Sequence, residues 1–110
     1  MAKPSWPMLA NRTQGLRAVG GSLDLDAGRL VFQPNAFDKA LGGEPAEVDL
    51  AQVVGVGVQP GRLHPLELFS GGLVARLRVL RADGSMELFG VNHLEDVVEL
   101  LRAAVDEHTQ

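Results

Sequence analysis

Hydrophobic and polar positions alternate along most of this chain, and the alternation predicts strands. The clearest stretch runs from Gly20 to Pro34. Leu23 and Leu25 alternate with Ser22, Asp24 and Asp26, the period-2 pattern of a half-buried strand. Asp26-Ala27-Gly28 supplies turn chemistry, and Leu30 and Phe32 share one face of the next strand. Pro34 ends that strand because it has no N–H for the ladder. Residues 12–19 form a weaker first strand, with Leu16 and Ala18 expected to face in and Arg17 out. Gly20-Gly21 is expected to bend the chain into the hairpin, through a bulge or a close backbone approach. Ala46, Val48 and Leu50 alternate with Glu47 and Asp49, and Leu50 to Val53 suits a single turn. Val54, Val56 and Val58 then alternate with Gly55 and Gly57.

Residues 73–81 are expected to be the longest strand, with Leu73, Ala75, Leu77 and Val79 on one face and Val74, Arg76, Arg78 and Leu80 on the other. Asp83-Gly84 is a hairpin signal. In the strand that follows, Met86, Leu88 and Gly90 alternate with Glu87 and Phe89, and Glu87 is expected to pair with Arg76 or Arg78. The period then changes. Leu94, Val97, Val98, Leu101, Ala104 and Val105 make one apolar helical stripe, which predicts a helix over 93–107. Asn92 is its expected N-cap, Glu95 completes a capping-box-like pattern, and Glu95 and Asp96 suit the N-terminal dipole.

Three segments lack a clear period. Residues 1–10 are expected to be an arm, in which Trp6, between Pro4 and Pro7, covers an open end of the core; the sharper alternative is a membrane or partner anchor. Residues 35–45 form a loop whose Phe37 and Leu41 are expected to pack back on the core. Residues 59–72 are broken by Pro and Gly yet carry Leu63, Leu66, Leu68 and Phe69. Such a loop either folds onto the core or offers a sticky surface. The expected organisation is an arm over 1–10, one domain over 11–107 and a tail over 108–110.

Composition narrows the function. The sequence of 110 residues suits one domain, and its 13 glycines fit a turn-rich, mainly β fold. The absence of cysteine excludes disulfides and thiolate metal sites and fits a reducing compartment. No stretch has the length or apolarity of a signal or transmembrane segment, so a soluble, cytoplasmic protein is expected. Residues 1–92 are balanced in charge, and the net charge of −4 sits on residues 93–110. With no dense basic patch and no tyrosine, nucleic acid is not an expected partner.

Chemistry-bearing motifs are sparse. His64, His93 and His108 share no metal-ligand spacing. Asp24 and Asp26 lie on one strand face without a nearby nucleophile, and no serine has a nucleophile-elbow context. No catalytic residue, cofactor or metal is expected. Arg76 and Arg78, with Arg17 and Arg29, offer a modest anion-binding face; the alternative is a solvated face paired with Glu47, Asp49 and Glu87.

Gly20-Gly21, Leu23-x-Leu25, the turn, Arg29-Leu30-Val31-Phe32-x-Pro34 and Asn35-x-Phe37 together resemble the core signature of GRAM domains. The resemblance spans about residues 14–105 and departs from the common pattern at Asp26 and in the apolar insert at 60–72. It implies a PH-like fold: a bent antiparallel sandwich or open barrel of about seven strands, capped by one C-terminal helix. It also implies recognition of a membrane surface, lipid or protein rather than catalysis. The expected contact residues are Leu63, Leu66, Leu68, Phe69, Arg76 and Arg78. The acidic helix disfavours anionic lipid, which leaves a protein partner at least as well supported. The competing class is a structural protein that assembles as a homodimer or larger homo-oligomer and binds no lipid.

Overall fold

The alternating segments pair as an antiparallel sheet that curls into a half-barrel. In the computed structural model, residues 3–60 and 75–109 are described. The strands are β1 (Met8–Gln14), β2 (Arg17–Asp26), β3 (Arg29–Pro34), β4 (Ala46–Asp49), β5 (Val53–Gln59), β6 (Arg76–Arg81) and β7 (Met86–Val91). They lie in the order β4-β3-β2-β1-β7-β6-β5. A short helix α1 (Ala36–Ala40) follows β3, a 3-10 turn (Leu50–Gln52) joins β4 to β5, and helix α2 (Leu94–Thr109) closes the chain. The mainly β architecture with one C-terminal helix is therefore as the pattern predicts.

The core follows from the alternation. Val19 and Leu23 of β2, Leu30 and Phe32 of β3, Val48 of β4, Leu77 and Val79 of β6 and Phe89 of β7 point inward and are buried. The Phe32 and Phe89 rings meet at 6.0 Å, tilted by 38°, within the range of favourable aromatic pairs. Helix α2 buries Val97, Val98 and Leu101, packing chiefly against β5 and the 3-10 turn. Trp6 is half-buried against the same core, the covering role expected of it.

Several local expectations are corrected. The first strand is Met8–Gln14, not 12–19, and Leu16 sits in the turn after it, 61% exposed. Ala18 faces out and Val19 in. Gly20-Gly21 is not a turn but lies inside β2, the longest described strand with 10 residues. Leu73 and Val74 lie outside the described residues, as does the segment with Leu63, His64, Leu66, Leu68 and Phe69. A bulge between Val53 and Gly55 places Val54 outside, while Val56 packs inward. Phe37 and Leu41 are exposed rather than folded back. Helix α2 starts at Leu94, after His93 with φ 55°, so Asn92 precedes the capping position.

Glu87 is the largest departure. It points into the half-barrel and pairs with Arg12 (2.9 Å) and Arg81 (3.4 Å), not with Arg76 or Arg78. Arg81 also donates to the Glu47 carbonyl at 3.2 Å, so the cluster ties β1, β7, β6 and β4 together. At the β5 edge Arg102 of α2 donates to the Val56 carbonyl at 2.9 Å, which occupies a group otherwise open to strand addition.

Gly21 explains part of the double glycine. A Cβ there would lie 2.0 Å from the Gln33 carbonyl oxygen and 2.8 Å from Pro34 Cα, both backbone. The close approach of β3 to β2 thus needs glycine. Gly21→Ala should lower stability by roughly 3 kcal/mol in urea unfolding. Gly90→Ala, whose Cβ would rest 3.7 Å from Asn11 Cβ, should stay within about 0.5 kcal/mol of the parent. Equal losses at the two positions would refute the close-approach account.

Candidate functional site

The outward positions of five strands build a groove. In β1, Leu9, Asn11 and Thr13 alternate with the inward Ala10 and Arg12. The register sets Asn11 opposite Gly20 of β2 and Gly90 of β7, and Thr13 opposite Ala18. Those small partners leave the middle of the face low. The resulting groove has a volume of about 640 Å³, within the usual ~300–1,000 Å³ of ligand clefts. It is open to solvent and lies on the side of the sheet away from the core.

Its chemistry is mixed. Asn11, Gln33, Asn35 and Asn92 bring exposed side-chain amides to the rim, and Leu9, 80% exposed, brings an apolar side chain. Arg76 stands in the wall with 9% of its surface exposed. Its Nη1 donates to Thr13 Oγ1 at 2.9 Å, while its Nε is sealed from solvent without an acceptor. Among the described residues, no Asp or Glu lines the groove. A second, smaller depression of about 290 Å³ lies beside Gly28, Leu50 and His108.

One end of the groove is held by Asp38, whose carboxylate accepts two hydrogen bonds and whose backbone makes others. Asp38 Oδ1 accepts from Arg17 Nη2 (2.9 Å), Asp38 Oδ2 accepts from the Gly20 N–H (3.1 Å), and Asn35 Oδ1 caps α1 through the Asp38 N–H (2.8 Å). The Asp38 carbonyl accepts from the Gly43 N–H at 2.7 Å. This fixes α1, and with it Asn35, against β2. The Arg17 hydrogen bond, helped by those of Gly20 and Asn35, holds the Asp38 carboxyl below its ordinary value of 3.8. A depressed folded value means stability that is present above the unfolded value and lost as pH falls through the folded one. Asp38→Asn should therefore flatten the fall of Tm below about pH 4. A parallel curve displaced only in height would exclude the linkage. Asp83 is lowered likewise by the Ser85 hydroxyl and N–H in the β6–β7 turn, so the acid limb keeps some slope.

The arginines expected to share one face are separated. Arg17 is tied to Asp38, Arg29 pairs with Glu47 at 3.4 Å, and Arg78 lies over Gly57 and donates to Gln59 Oε1 at 3.4 Å. Only Arg76 enters the groove. The apolar contact residues Leu63, Leu66, Leu68 and Phe69 fall outside the described residues. The groove itself was not evident from sequence, because its floor is built from Ala18 and Gly20 of β2 and Gly90 of β7. Among the described residues, no three His, Asp or Glu side chains are placed to share a metal ion. Asp24 Oδ1 accepts from the Leu25 N–H, a local contact.

No family model and no curated protein matches this sequence. Among solved structures, the pleckstrin homology (PH) domain of USP37 superimposes with TM-score 0.53 at 16% identity, over 94% of this chain and 96% of that one. The fold is PH-like. Inner Membrane Complex Sub-compartment Protein 3 (ISP3) from Toxoplasma gondii has the same architecture, with TM-score 0.58 at 10% identity over 94% of this chain and 77% of that one. At such identities the shared property of these PH-like chains is the fold, and a fold hosts many functions. No helix among the described residues is long and apolar enough to cross a membrane.

Proposed function

We propose that this chain is a non-catalytic, GRAM-type binding module that holds a segment of a partner protein across its outer-face groove. The observation that carries this is the groove itself: a glycine- and alanine-floored trough edged by Asn11, Gln33, Asn35 and Asn92. Side-chain amides both donate and accept, which matches the alternating N–H and C=O of a main chain. A lipid acyl chain offers no such groups. The residues from Gly20 to Phe37 that resemble the GRAM signature include Gly20, Gly21, Pro34 and Asn35, which line this groove.

The test is selection from a random peptide library on the full chain, alongside Gly90→Leu, which fills the groove without a clash at Cβ. Both proteins are also mixed with vesicles of phosphatidylcholine and phosphatidylserine. The expected result is a set of peptides bound by the parent and lost by a stably folded Gly90→Leu. Peptides bound equally by both proteins would overturn the proposal. So would Gly90-sensitive vesicle binding without any peptide, which supports the membrane module. A concentration-dependent mass abolished by Gly90→Leu would instead support the homo-oligomer.

A further inference from the structure

We infer that Arg76, with Thr13 beside it, seats a carboxylate carried by the segment in the groove; this deepens the peptide-docking proposal and rests on it. Arg76 is nine-tenths buried, and among the described residues its one hydrogen bond is to the neutral Thr13 hydroxyl. Its Nε–H is shut off from water with nothing to accept it. Among the described residues no ion pair forms at its guanidinium, whereas Arg12 and Arg81 share Glu87, Arg17 has Asp38 and Arg29 has Glu47. Even Arg78 and Arg102 have acceptors, Gln59 Oε1 and the Val56 carbonyl.

A guanidinium does not lose its proton in a protein, so Arg76 cannot escape burial by becoming neutral. A buried charge with unfilled donors is strongly unfavourable unless a counter-charge completes it. None of the described residues that line the groove is acidic, although the chain as a whole carries net charge −4. The groove is thus a local positive site, and its complement is an anion. Carboxylate fits the planar fork of a guanidinium through two parallel hydrogen bonds. The flanking amides of Asn11 and Asn92 and the bare floor at Gly20 and Gly90 suit the main chain on either side of an Asp or Glu.

The side-chain Nε–H signals of the full-length chain report on the seat directly. Sodium acetate, sodium phosphate and sodium chloride are titrated at fixed ionic strength and neutral pH. Acetate should move the Arg76 Nε–H signal saturably and leave that of Arg29, which is exposed and paired, unmoved. Peptides from the library that carry a required Asp should bind about tenfold or more weakly when that Asp is replaced by Asn. Arg76→Met should abolish their binding and raise Tm, because it removes a buried charge that no described residue neutralises. Arg76→Lys, which keeps the charge and loses the fork, should bind in between.

An Arg76 signal indifferent to acetate overturns the inference, as does one that answers phosphate alone. A fall of several degrees in Tm for Arg76→Met would make the guanidinium a structural group and overturn it too. Peptides lost by Gly90→Leu but unaffected by Arg76→Met would leave the docking groove standing and remove the carboxylate seat. An acetate response with no groove-dependent peptide would do the reverse, retaining the anion seat and removing the peptide.

Discussion

Leu101→Asp should leave no cooperative unfolding transition at room temperature. Leu101 is wholly buried at the centre of the α2 stripe, between Val97, Val98 and the inner face of the sheet. Burying one leucine contributes about 1.5–3 kcal/mol, and the aspartate would either be desolvated or drag the helix off the core. Small domains have only about 5–15 kcal/mol in total, so the combined effect is comparable to the whole. Leu101→Ala sets the scale: it should keep a transition while losing roughly 2–5 kcal/mol. Glu99→Gln, on the exposed face of the same helix, should change little. A Leu101→Asp chain with the parent's melting temperature would show that α2 is not part of the core.

The second large effect is expected at Glu87. Its carboxylate is the shared counter-ion of Arg12 and Arg81, with side-chain exposures of 11%, 17% and 21% respectively. Removing one partner from such a buried arrangement typically costs about 3–5 kcal/mol, because the remaining charges stay behind unpaired. Glu87→Ala should fall in that range by urea unfolding. Replacing all three, as Arg12→Met, Arg81→Met and Glu87→Leu together, should recover most of the loss, since apolar groups of similar volume need no counter-ion. A loss below about 1 kcal/mol for Glu87→Ala would mean that water, not Glu87, neutralises the arginines.

The elements that alternation describes well are those with one wet face and one dry face. The β2–β3 hairpin, with Leu23, Leu25, Leu30 and Phe32, and the α2 stripe around Leu101 are both of this kind. The turn between β2 and β3 is also as expected, with Ala27 at φ 52° and Gly28 at φ 77°, the left-handed pair that a two-residue primed turn requires. Alternation fails where the two faces exchange their usual chemistry. β1 carries Leu9 outward and Arg12 inward, and β7 carries Glu87 inward, so hydrophobicity alone shifts the first strand and misassigns an ion pair. Phe37 is exposed because the Asp38 hydrogen bonds to Arg17 and Gly20, not a hydrophobic contact, fix α1.

The candidate site was legible only at Arg76. An arginine on an outward strand position is visible in the sequence, but its burial is not. Its hydrogen-bond partner is also brought from far away, since Thr13 of β1 lies 63 residues off in the chain. The groove floor depends on register between β2, β1 and β7, which period-2 patterns do not specify. Places where local pattern and fold disagree are where function is to be sought in such a chain. Here Leu9, Arg76, Gly20 and Gly90 all meet along one groove.

The strand order also divides the sheet into two halves. Within β1 to β4, and within β5 to β7, every pairing joins sequence neighbours, so each half is a meander that can assemble locally. The halves meet along one seam, where Ala10, Asn11 and Arg12 of β1 face Val91, Gly90 and Phe89 of β7. The Arg12–Glu87 contact across that region joins residues 75 positions apart. Loop closure grows costlier with separation, and distant pairings set the pace of folding. The groove lies over this seam, so it is built only where both halves have met. Under the docking proposal, a half-folded chain would offer nothing for a partner to hold, and binding would report on a finished molecule.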